Sequence, residues 1–394
     1  MLSIIFFNTH PIQYFVPLYQ AMAKDDAIDL TVLYCSDETL KGTTDKQFGV
    51  KVQWDIPLLQ GYQHQFLKNN SFKPSIFNGF WGLMNWGVIG YLRKAPKSMV
   101  VVHGWASFSH VITLIAARLC GHTVCLRAET PLNQELLKNK LVRAIKNSWL
   151  RFLFLFVHRF LYIGQQNKLF YASFGIKEDQ LFFTPYAVDN ERFQGVSKEI
   201  DRLSARKKLG LPLDKKIVLF SGKYIHKKRP LDLLEAFNEL ENDSFLVMVG
   251  EGELRVPMET YITAQKLSKR VFLTGFINQS QIPLYYAAAD AFVMCSGIGE
   301  TWGLSVNEAM NFSLPIVITD ICGCSFDLVK QGSNGFLVKT SDITGLKEAL
   351  KQVTKLSQTE RQVMGMASLA IIGTYSYQTI IAALKKIAAP IRII

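Results

Sequence analysis

Short apolar runs of strand length alternate with amphipathic stretches of helix length along the whole chain. In the first half, helical stretches at about 14–24, 106–120 and 135–158 separate five runs that predict strands: SIIFF, DLTVLY, MVVV, TVCLR and FLYIG. This alternation is typical of parallel sheets covered by helices. We therefore expect an α/β fold.

The second half repeats the alternation more regularly. It contains KIVLFSG then PLDLLEAFNEL, SFLVMVG then a helix, VFLTG then QIPLYYAAA, DAFVMC then GLSVNEAM, and LPIVITD then SFDLVK. This order predicts a doubly wound α/β domain. Between the halves, TPYAVDNERFQGVSKEID loses the apolar periodicity, which predicts an interdomain linker near 186–200.

We expect two Rossmann-like domains, residues 1–190 and 191–375, followed by a segment at 376–394 whose helix could pack back on the N-terminal domain. Two such domains in one chain usually face each other across a cleft at the carboxyl ends of their strands. Ligands bind there, so functional residues are expected in loops that follow strands.

The charge of the chain is strongly basic, with 44 Lys or Arg against 32 Asp or Glu and a formal net charge of +12. Residues 80–170 contain only two acids, Glu129 and Glu135, and the following bases: Arg93, Lys94, Lys97, Arg118, Arg127, Lys138, Lys140, Arg143, Lys146, Arg151, Arg159 and Lys168. Such charge suits an anionic membrane surface or a phosphorylated acceptor, unless it is simply a solvated surface. No nucleic-acid-binding signature accompanies it, so we expect no nucleic-acid partner.

Cysteine spacing and the apolar segments bear on the cellular compartment. The six cysteines lack metal-ligand spacing and predict buried thiols in a reducing compartment. The run MLSIIFFNTHP lacks the features of a signal peptide. The segment WLRFLFLFVHRFLYIG at 149–164 is interrupted by charges and is too short to span a bilayer, which leaves a buried helix or an interfacial element. We expect a cytoplasmic protein, peripheral on the inner face of the membrane.

Two glutamates eight positions apart, Glu300 and Glu308, flank a predicted helix entrance near Gly303. Free N–H groups at a helix start attract phosphate, whereas a carboxylate accepts hydrogen bonds from sugar hydroxyls. The layout suits a nucleotide-sugar, in which a diphosphate lies between a sugar and a ribose. The alternative is structural, with Glu300 capping the helix and Glu308 paired with a surface lysine.

A cationic segment follows the first strand of the second half. FSGKYIHKKRPLDLL presents Lys223, His226, Lys227, Lys228 and Arg229 immediately before a helix that is predicted to start near Pro230. Cations at a strand-to-helix loop can neutralise phosphate charge, and a solvated basic loop is the alternative.

These segments resemble the retaining glycosyltransferases of family 4 (glycosyl transferases group 1), which have the GT-B fold. Glu300 and Glu308 meet the family's E-x(7)-E motif, and GKYIHKK resembles its GR-x(4)-K element. VGEGELR, LTGF, GCSFDLVKQGSNGFLV and PYAVDNERF resemble four further family segments. The likeness covers about 180–355 well and the first half more loosely. The chain departs from the family at Lys223, where an Arg is usual, and at Tyr186-Ala187, where Asn-Gly is usual.

The resemblance implies a donor site. Lys223 and Lys228 would hold the diphosphate, Glu308 the ribose and Glu300 the donor sugar. The other implied contacts are Phe276 and Ile277 at the base, and Gly222, Thr301, Trp302, Gly303 and Leu304 near the phosphates and sugar. Glu300 and Lys228 would be the catalytic residues. No cofactor is implied beyond the nucleotide-sugar co-substrate, and lysines with a helix terminus would stabilise the leaving diphosphate without a metal.

The resemblance also implies an activity, the transfer of a hexose-type sugar from a UDP- or GDP-sugar with retention. The basic first half indicates a lipid-linked glycan or glycolipid as the acceptor, as in bacterial surface polysaccharide or lipopolysaccharide synthesis. One alternative is a GT-B-fold nucleotide-sugar 2-epimerase, and another is a non-catalytic module that binds nucleotide-sugar or membrane. A nicotinamide-linked dehydrogenase is disfavoured because no G-x-G-x-x-G follows the first strand.

Loops after strands of the first half supply candidates for acceptor binding: His10, Gln13, His103, Arg127 and Glu129. Histidine can transfer protons near neutral pH, so His10 and His103 are also candidate catalytic residues. A core or capping histidine is the alternative for His103. Arg127 could bind an acceptor phosphate and Glu129 could act as a base, or the two could form an ion pair.

Overall fold

The computed structural model describes residues 1–41 and 55–388. The chain forms two compact units, each built on one parallel sheet. Of the described residues, unit 1 contains 1–41, 57–185 and 377–388, and unit 2 contains 55–56 and 186–376. The main division along the chain therefore lies between residues 185 and 186. The boundary expected from the sequence was residue 190.

Unit 1 is built on a sheet of seven parallel strands. They are β1 (Leu2–Asn8), β2 (Ile28–Tyr34), β3 (Gln63–Phe66), β4 (Met99–His103), β5 (Thr123–Arg127), β6 (Arg159–Tyr162) and β7 (Leu181–Phe183). Their spatial order is β3-β2-β1-β4-β5-β6-β7, so the winding reverses between β1 and β4. The first six helices are α1 (Val16–Ala23), α2 (Gly87–Lys94), α3 (Phe108–Leu119), α4 (Leu132–Leu136), α5 (Lys140–Phe154) and α6 (Gln165–Ala172).

Unit 2 is built on a sheet of six parallel strands. They are β8 (Lys216–Ser221), β9 (Ser244–Val249), β10 (Val271–Leu273), β11 (Ala291–Met294), β12 (Ile316–Thr319) and β13 (Gly335–Val338). Their order is β10-β9-β8-β11-β12-β13, and here the winding reverses between β8 and β11. The helices are α7 (Asn190–Glu199), α8 (Arg202–Leu209), α9 (Pro230–Asn238), α10 (Arg255–Ala264), α11 (Ile282–Ala288), α12 (Leu304–Met310), α13 (Ser325–Leu328), α14 (Ile343–Lys355) and α15 (Gln358–Gly373).

A last helix, α16 (Tyr377–Ala388), belongs to unit 1 and contacts α1. The Tyr377 hydroxyl donates to the carbonyl of Tyr14, and Lys385 pairs with Asp25 at 2.5 Å. By length and composition alone, the stretch Gln358–Ala388 could cross a membrane. This is a weak indication, because a core helix of a soluble protein passes the same test and 33% of its most apolar window is buried.

The central strands of unit 2 are buried along their whole apolar length, because helices cover both faces of the sheet. A buried carboxylate ties two of them together. Asp290, immediately before β11, accepts the backbone N–H of Ile217 in β8 at 2.7 Å and pairs with Arg206 and Arg361. These cations compensate the burial of the charge, and they fix β8 beside β11.

The segment near 186–200, predicted as a linker, contains a helix in the structure, and α7 occupies two thirds of it. The Asp189 carboxylate caps this helix by accepting the backbone N–H of Arg192 at 3.1 Å. Phe193 is its one fully buried residue. A helix held by a cap and a single buried ring has too few apolar positions to show a periodicity.

We predict that Gly250→Ala destabilises unit 2. A Cβ at this position would lie 1.9 Å from the Gly222 carbonyl oxygen, and its φ of +151° is one that side chains other than glycine rarely adopt. We expect a loss of about 2 kcal/mol or more, measured as a melting temperature several degrees lower.

Gly195→Ala in α7 is the matched control. A Cβ there meets no atom within 4 Å, so this helical substitution should stabilise by about 0.5–1 kcal/mol. A Gly250→Ala protein that melts with the wild type would contradict the close approach of these backbones.

Candidate functional site

Most of the candidate donor residues of unit 2 lie where its winding reverses. β8 and β11 are neighbours, and the order of the sheet changes direction between them. In open α/β sheets, ligands bind outside the carboxyl ends of the strands at this point. Two loops leave the strands there: the β8 loop, residues 222–229, and the β11 loop, residues 295–303.

Hydrogen bonds to backbone carbonyls join the β8 loop to the β11 loop. The N–H of Gly297 donates to the carbonyl of Lys227 at 2.7 Å, and the Lys227 ammonium contacts the carbonyl of Gly299 at 3.4 Å. The thiol of Cys295 donates to the carbonyl of Lys228 at 3.4 Å. The cationic loop is therefore attached to the acidic one, and is not a free solvated segment.

The two predicted catalytic residues of this unit form a salt bridge, in which the Lys228 ammonium contacts the Glu300 carboxylate. Only 7% of Glu300 is exposed. Burial raises the pKa of Glu300, but Lys228 and then Lys227 lower it by more, so that the pKa lies below its ordinary value. Glu300 is therefore ionised at neutral pH and its charge is held by Lys228.

The rest of the β11 loop is fixed from the opposite side by residues that follow β12. The N–H groups of Gly323 and Cys324 donate to the carbonyls of Glu300 and Trp302, at 3.1 and 3.3 Å. Gly303 has a φ of +118°, and a Cβ there would lie 2.7 Å from the Met294 sulfur. A glycine is needed at this turn, after which α12 begins at residue 304, next to the predicted helix entrance near Gly303.

Glu308 lies on α12 and is almost fully buried. Its carboxylate accepts the hydroxyl of Tyr286, from α11, at 2.7 Å. A surface lysine was the structural alternative for Glu308, and a buried tyrosine is the contact found. Sequence reasoning missed Tyr286, which lies in an apolar helix and has no motif of its own. The one available signal was its phenol hydroxyl, the polar group of a residue in an otherwise apolar helix, which needs a hydrogen-bond partner when it is buried.

The remaining donor candidates follow β8 and β10. Gly222 donates its N–H to the carbonyl of Val249 at 3.0 Å, and Lys223 follows it as a half-buried residue. Phe276 and Ile277 are half-buried in the loop after β10, two strands away from β8. All these residues follow carboxyl ends of strands of the same sheet, as predicted.

The acceptor candidates of unit 1 follow β1, β4 and β5, which are consecutive neighbours in its sheet. His103 and Arg127 are the last residues of β4 and β5 and stand opposite each other in the register. His10 lies two residues beyond β1. Gln13 and Glu129 are half-buried in the loops that follow β1 and β5. The candidates therefore gather at the winding reversal of this unit as well.

His103 is held among aromatic rings. Its ring packs edge-on against Phe15 at 4.7 Å and lies 5.5 Å from Phe6. Within the described residues its Nε2 is buried without a hydrogen-bond partner. Burial, and then the nearby Arg127 guanidinium, keep the pKa of His103 well below its usual range. His103 is therefore a neutral imidazole at neutral pH.

Arg127 is buried, and its guanidinium lies 5.2 Å from the centre of the Phe15 ring and donates to the carbonyl of Pro185 at 3.4 Å. Burial lowers the pKa of Arg127, while the Glu129 charge acts in the opposite direction. A buried guanidinium keeps its charge and needs anionic or carbonyl partners.

No group of three or more His, Cys, Asp or Glu that could hold a metal ion is found in residues 1–41 and 55–388. The cysteines of these ranges are free thiols, and five of the six are buried. Burial raises the pKa of Cys295, in the β11 loop, and of Cys322, after β12, to about 12, so both thiols stay protonated.

Comparison with known proteins identifies the family. Residues 201–368 match the family described as Glycosyl transferases group 1. The chain is also 30% identical over 262 residues, 64% of its length, to the UDP-Gal:alpha-D-GlcNAc-diphosphoundecaprenol alpha-1,3-galactosyltransferase of Escherichia coli. Residues 201–368 belong to the group 1 glycosyltransferases.

A second relative is the alpha-monoglucosyldiacylglycerol synthase of Acholeplasma laidlawii, 28% identical over 219 residues and 54% of the chain. The matched segments span 66% of the length of the Escherichia coli enzyme and 52% of that of the Acholeplasma enzyme.

Solved structures identify the fold. Anabaena Alr3699/HepE in complex with UDP superposes with a TM-score of 0.73 over 98% of both chains, at 17% identity. WaaG, a glycosyltransferase involved in lipopolysaccharide biosynthesis, gives 0.64 over 98% of both chains, at 15% identity. The predicted fold class, GT-B with two Rossmann-like units, is confirmed.

We predict that Glu300 makes stability depend on pH in a defined direction. Because its folded-state pKa is lowered, its ionisation contributes stability above its ordinary pKa of 4.5, and the contribution is lost as pH falls through the lower folded value. The difference in melting temperature between wild type and Glu300→Gln should therefore shrink as pH falls from about 7 to about 3.5. A difference that stays constant over this range would contradict the buried ion pair.

We predict that His10 is neutral at physiological pH. Burial lowers its pKa to about 4, against an opposing effect of Glu38, and its Nδ1 lies 2.8 Å from the Thr9 hydroxyl. Its imidazole NMR signals, assigned by comparison with His10→Asn, should not titrate between about pH 6 and 8. A midpoint near 6.5 would show that the ring is solvated instead.

Proposed function

We propose that this glycosyltransferase moves a hexose-type sugar, with retention, from a UDP-sugar to a lipid-linked acceptor in the synthesis of a bacterial surface glycan. The observation that carries the proposal is the Lys228–Glu300 pair at the winding reversal of unit 2. It combines a cation for phosphate with a carboxylate for sugar hydroxyls at the position where this kind of sheet binds ligands.

The charge of the two loops favours a diphosphate. The β8 loop carries the cations Lys223, Lys227, Lys228 and Arg229, and Arg229 is paired with Asp232. Glu300 neutralises one more cation, so the β8 and β11 loops, counted together with Asp232, have a net positive charge. A diphosphate would take Lys228 from Glu300, and the freed carboxylate would turn to the donor sugar.

The same cations support the chemistry of transfer. As the bond to the leaving diphosphate breaks, negative charge grows on its oxygens, and ammonium groups fixed nearby lower the energy of that state. We propose that Lys228 supplies this stabilisation without a metal or another cofactor. Glu308, held by Tyr286, would bind the ribose hydroxyls. Phe276 and Ile277 would contact the base.

The relatives favour UDP over GDP. The Escherichia coli relative is described as using UDP-Gal, and Alr3699/HepE has been crystallised with UDP and with UDP-glucose. The first relative acts on a diphosphoundecaprenol-linked sugar, and the Acholeplasma relative makes a glucosyldiacylglycerol. A lipid-linked acceptor also suits the basic unit 1, in which Arg127 is the candidate for binding an acceptor phosphate. We place the enzyme on the inner face of the cytoplasmic membrane, through that basic unit.

Turnover tests the proposal. With UDP- and GDP-sugars and lipid-linked acceptors, wild type should release the nucleotide and form a product of retained anomeric configuration, with EDTA present. Glu300→Gln and Lys228→Met should each lower kcat/KM by about 10²–10³. Glu259→Gln, an exposed acid paired with Arg255 on α10, is the matched control and should stay within about twofold.

Three outcomes would contradict this function. Full turnover by Glu300→Gln would remove Glu300 from the mechanism. Conversion of the donor in the absence of any acceptor, detected by proton NMR, would indicate the 2-epimerase instead. Tight donor binding by wild type with no product from any acceptor would favour a non-catalytic module.

A further inference from the structure

Helix α5 exposes an unusual amount of apolar surface. Three of its residues, Leu150, Leu153 and Phe154, are buried against the core of unit 1. On the other side of the helix, five large apolar residues are exposed, with 70% of Leu141 and 65% of Ile145 accessible: Leu141, Val142, Ile145, Trp149 and Phe152. We call these five the apolar stripe.

The apolar stripe is one continuous surface. Ile145, Trp149 and Phe152 follow the i, i+4, i+7 spacing that aligns side chains on one face of a helix. The rings of Trp149 and Phe152 stack at 5.7 Å, which extends the surface along the helix. Leu136, Leu137 and Leu155 add exposed apolar residues beyond its two ends. Such a surface is larger than the isolated exposed apolar residues that are normal on a soluble protein.

The charge around the apolar stripe has one sign. Lys140 and Arg151 are exposed on α5, beside the stripe. The sequence has no Asp or Glu between Glu135 and Glu178. Glu135 itself is buried and paired with Lys146 at 2.9 Å and with Lys138. The surface around the stripe therefore carries cations that no acid on α5 neutralises.

This combination selects the partner. A second copy of the chain packed on the stripe by two-fold symmetry would bring the same cations face to face, which is unfavourable. An anionic bilayer offers an apolar interior to the stripe and phosphates to Lys140 and Arg151. α5 has 15 residues, too few to span the bilayer, but enough to lie along its surface.

We infer that α5 docks the protein on anionic membranes by lying in the interfacial plane, with the apolar stripe inserted among the lipids and its cations at the phosphates. This goes beyond attraction by the basic charge of unit 1, because insertion makes apolar burial the main source of affinity. The inference concerns lipid binding alone and does not depend on the donor site.

Vesicle co-sedimentation of the full chain tests it without any substrate. Wild type should bind vesicles of phosphatidylglycerol and phosphatidylcholine, and Ile145→Gln/Phe152→Gln should weaken that binding by about tenfold or more. The matched control is Leu203→Gln/Val256→Gln, which removes two exposed apolar residues from unit 2, 52% and 68% accessible, and should bind like wild type. Lys140→Gln/Arg151→Gln should lose much of the preference for phosphatidylglycerol.

A second measurement locates the contact. Lipids brominated in the acyl chain should quench part of the tryptophan fluorescence, and Trp149→Phe should remove that part while the protein still binds the vesicles. Circular dichroism and UDP binding report whether each variant is folded.

Three outcomes would overturn the inference: no binding of wild type to anionic vesicles, equal binding by the folded Ile145→Gln/Phe152→Gln variant, or quenching that survives in Trp149→Phe. Dimers of wild type that dissociate in the Ile145→Gln/Phe152→Gln variant would instead assign the stripe to self-association.

Discussion

The candidate site depends on two opposite charges that are both largely removed from water. Lys228 lies in the loop after β8 and Glu300 in the loop after β11, and burying either charge alone would cost free energy. Their pairing therefore helps to hold the β8 loop against the β11 loop, together with the hydrogen bond from Gly297 to Lys227. A ligand that replaces this pair must offer an anion to the lysine and hydroxyl groups to the glutamate, which describes a sugar diphosphate.

The scaffold makes this pairing possible through close backbone approaches. Gly250 lets the turn after β9 approach the β8 loop, and Gly303 lets α12 start directly against the end of β11. Below the site, Asp290 joins β8 to β11 through a buried network of charges. The two strands that carry the candidate residues are thus fixed at both ends, which preorganises the loops between them.

Features encoded by long apolar runs or by fixed residue spacings could be predicted from the sequence. Features that depend on packing between distant segments could not. β8 and β11 were predicted because helices cover both faces, so their residues are continuously apolar. β3 was missed because it is an edge strand with exposed polar residues. The spacing of Glu300 and Glu308 indicated a polyol site, but the partner of each carboxylate came from another strand or helix. In the segment at 149–164, the sequence alone does not tell the buried residues of α5 from Trp149 and Phe152 of the apolar stripe. Packing against the core decides which side chains are buried.

The central claim, that Lys228 holds the donor diphosphate, is tested most directly by calorimetry with UDP and uridine on wild type and Lys228→Met. The ratio of the two affinities isolates the contribution of the diphosphate, because both ligands share the base and ribose. We expect Lys228→Met to reduce that ratio by about tenfold or more while uridine binding stays unchanged. An unchanged ratio, whether both affinities stay the same or both fall by the same factor, would contradict the account.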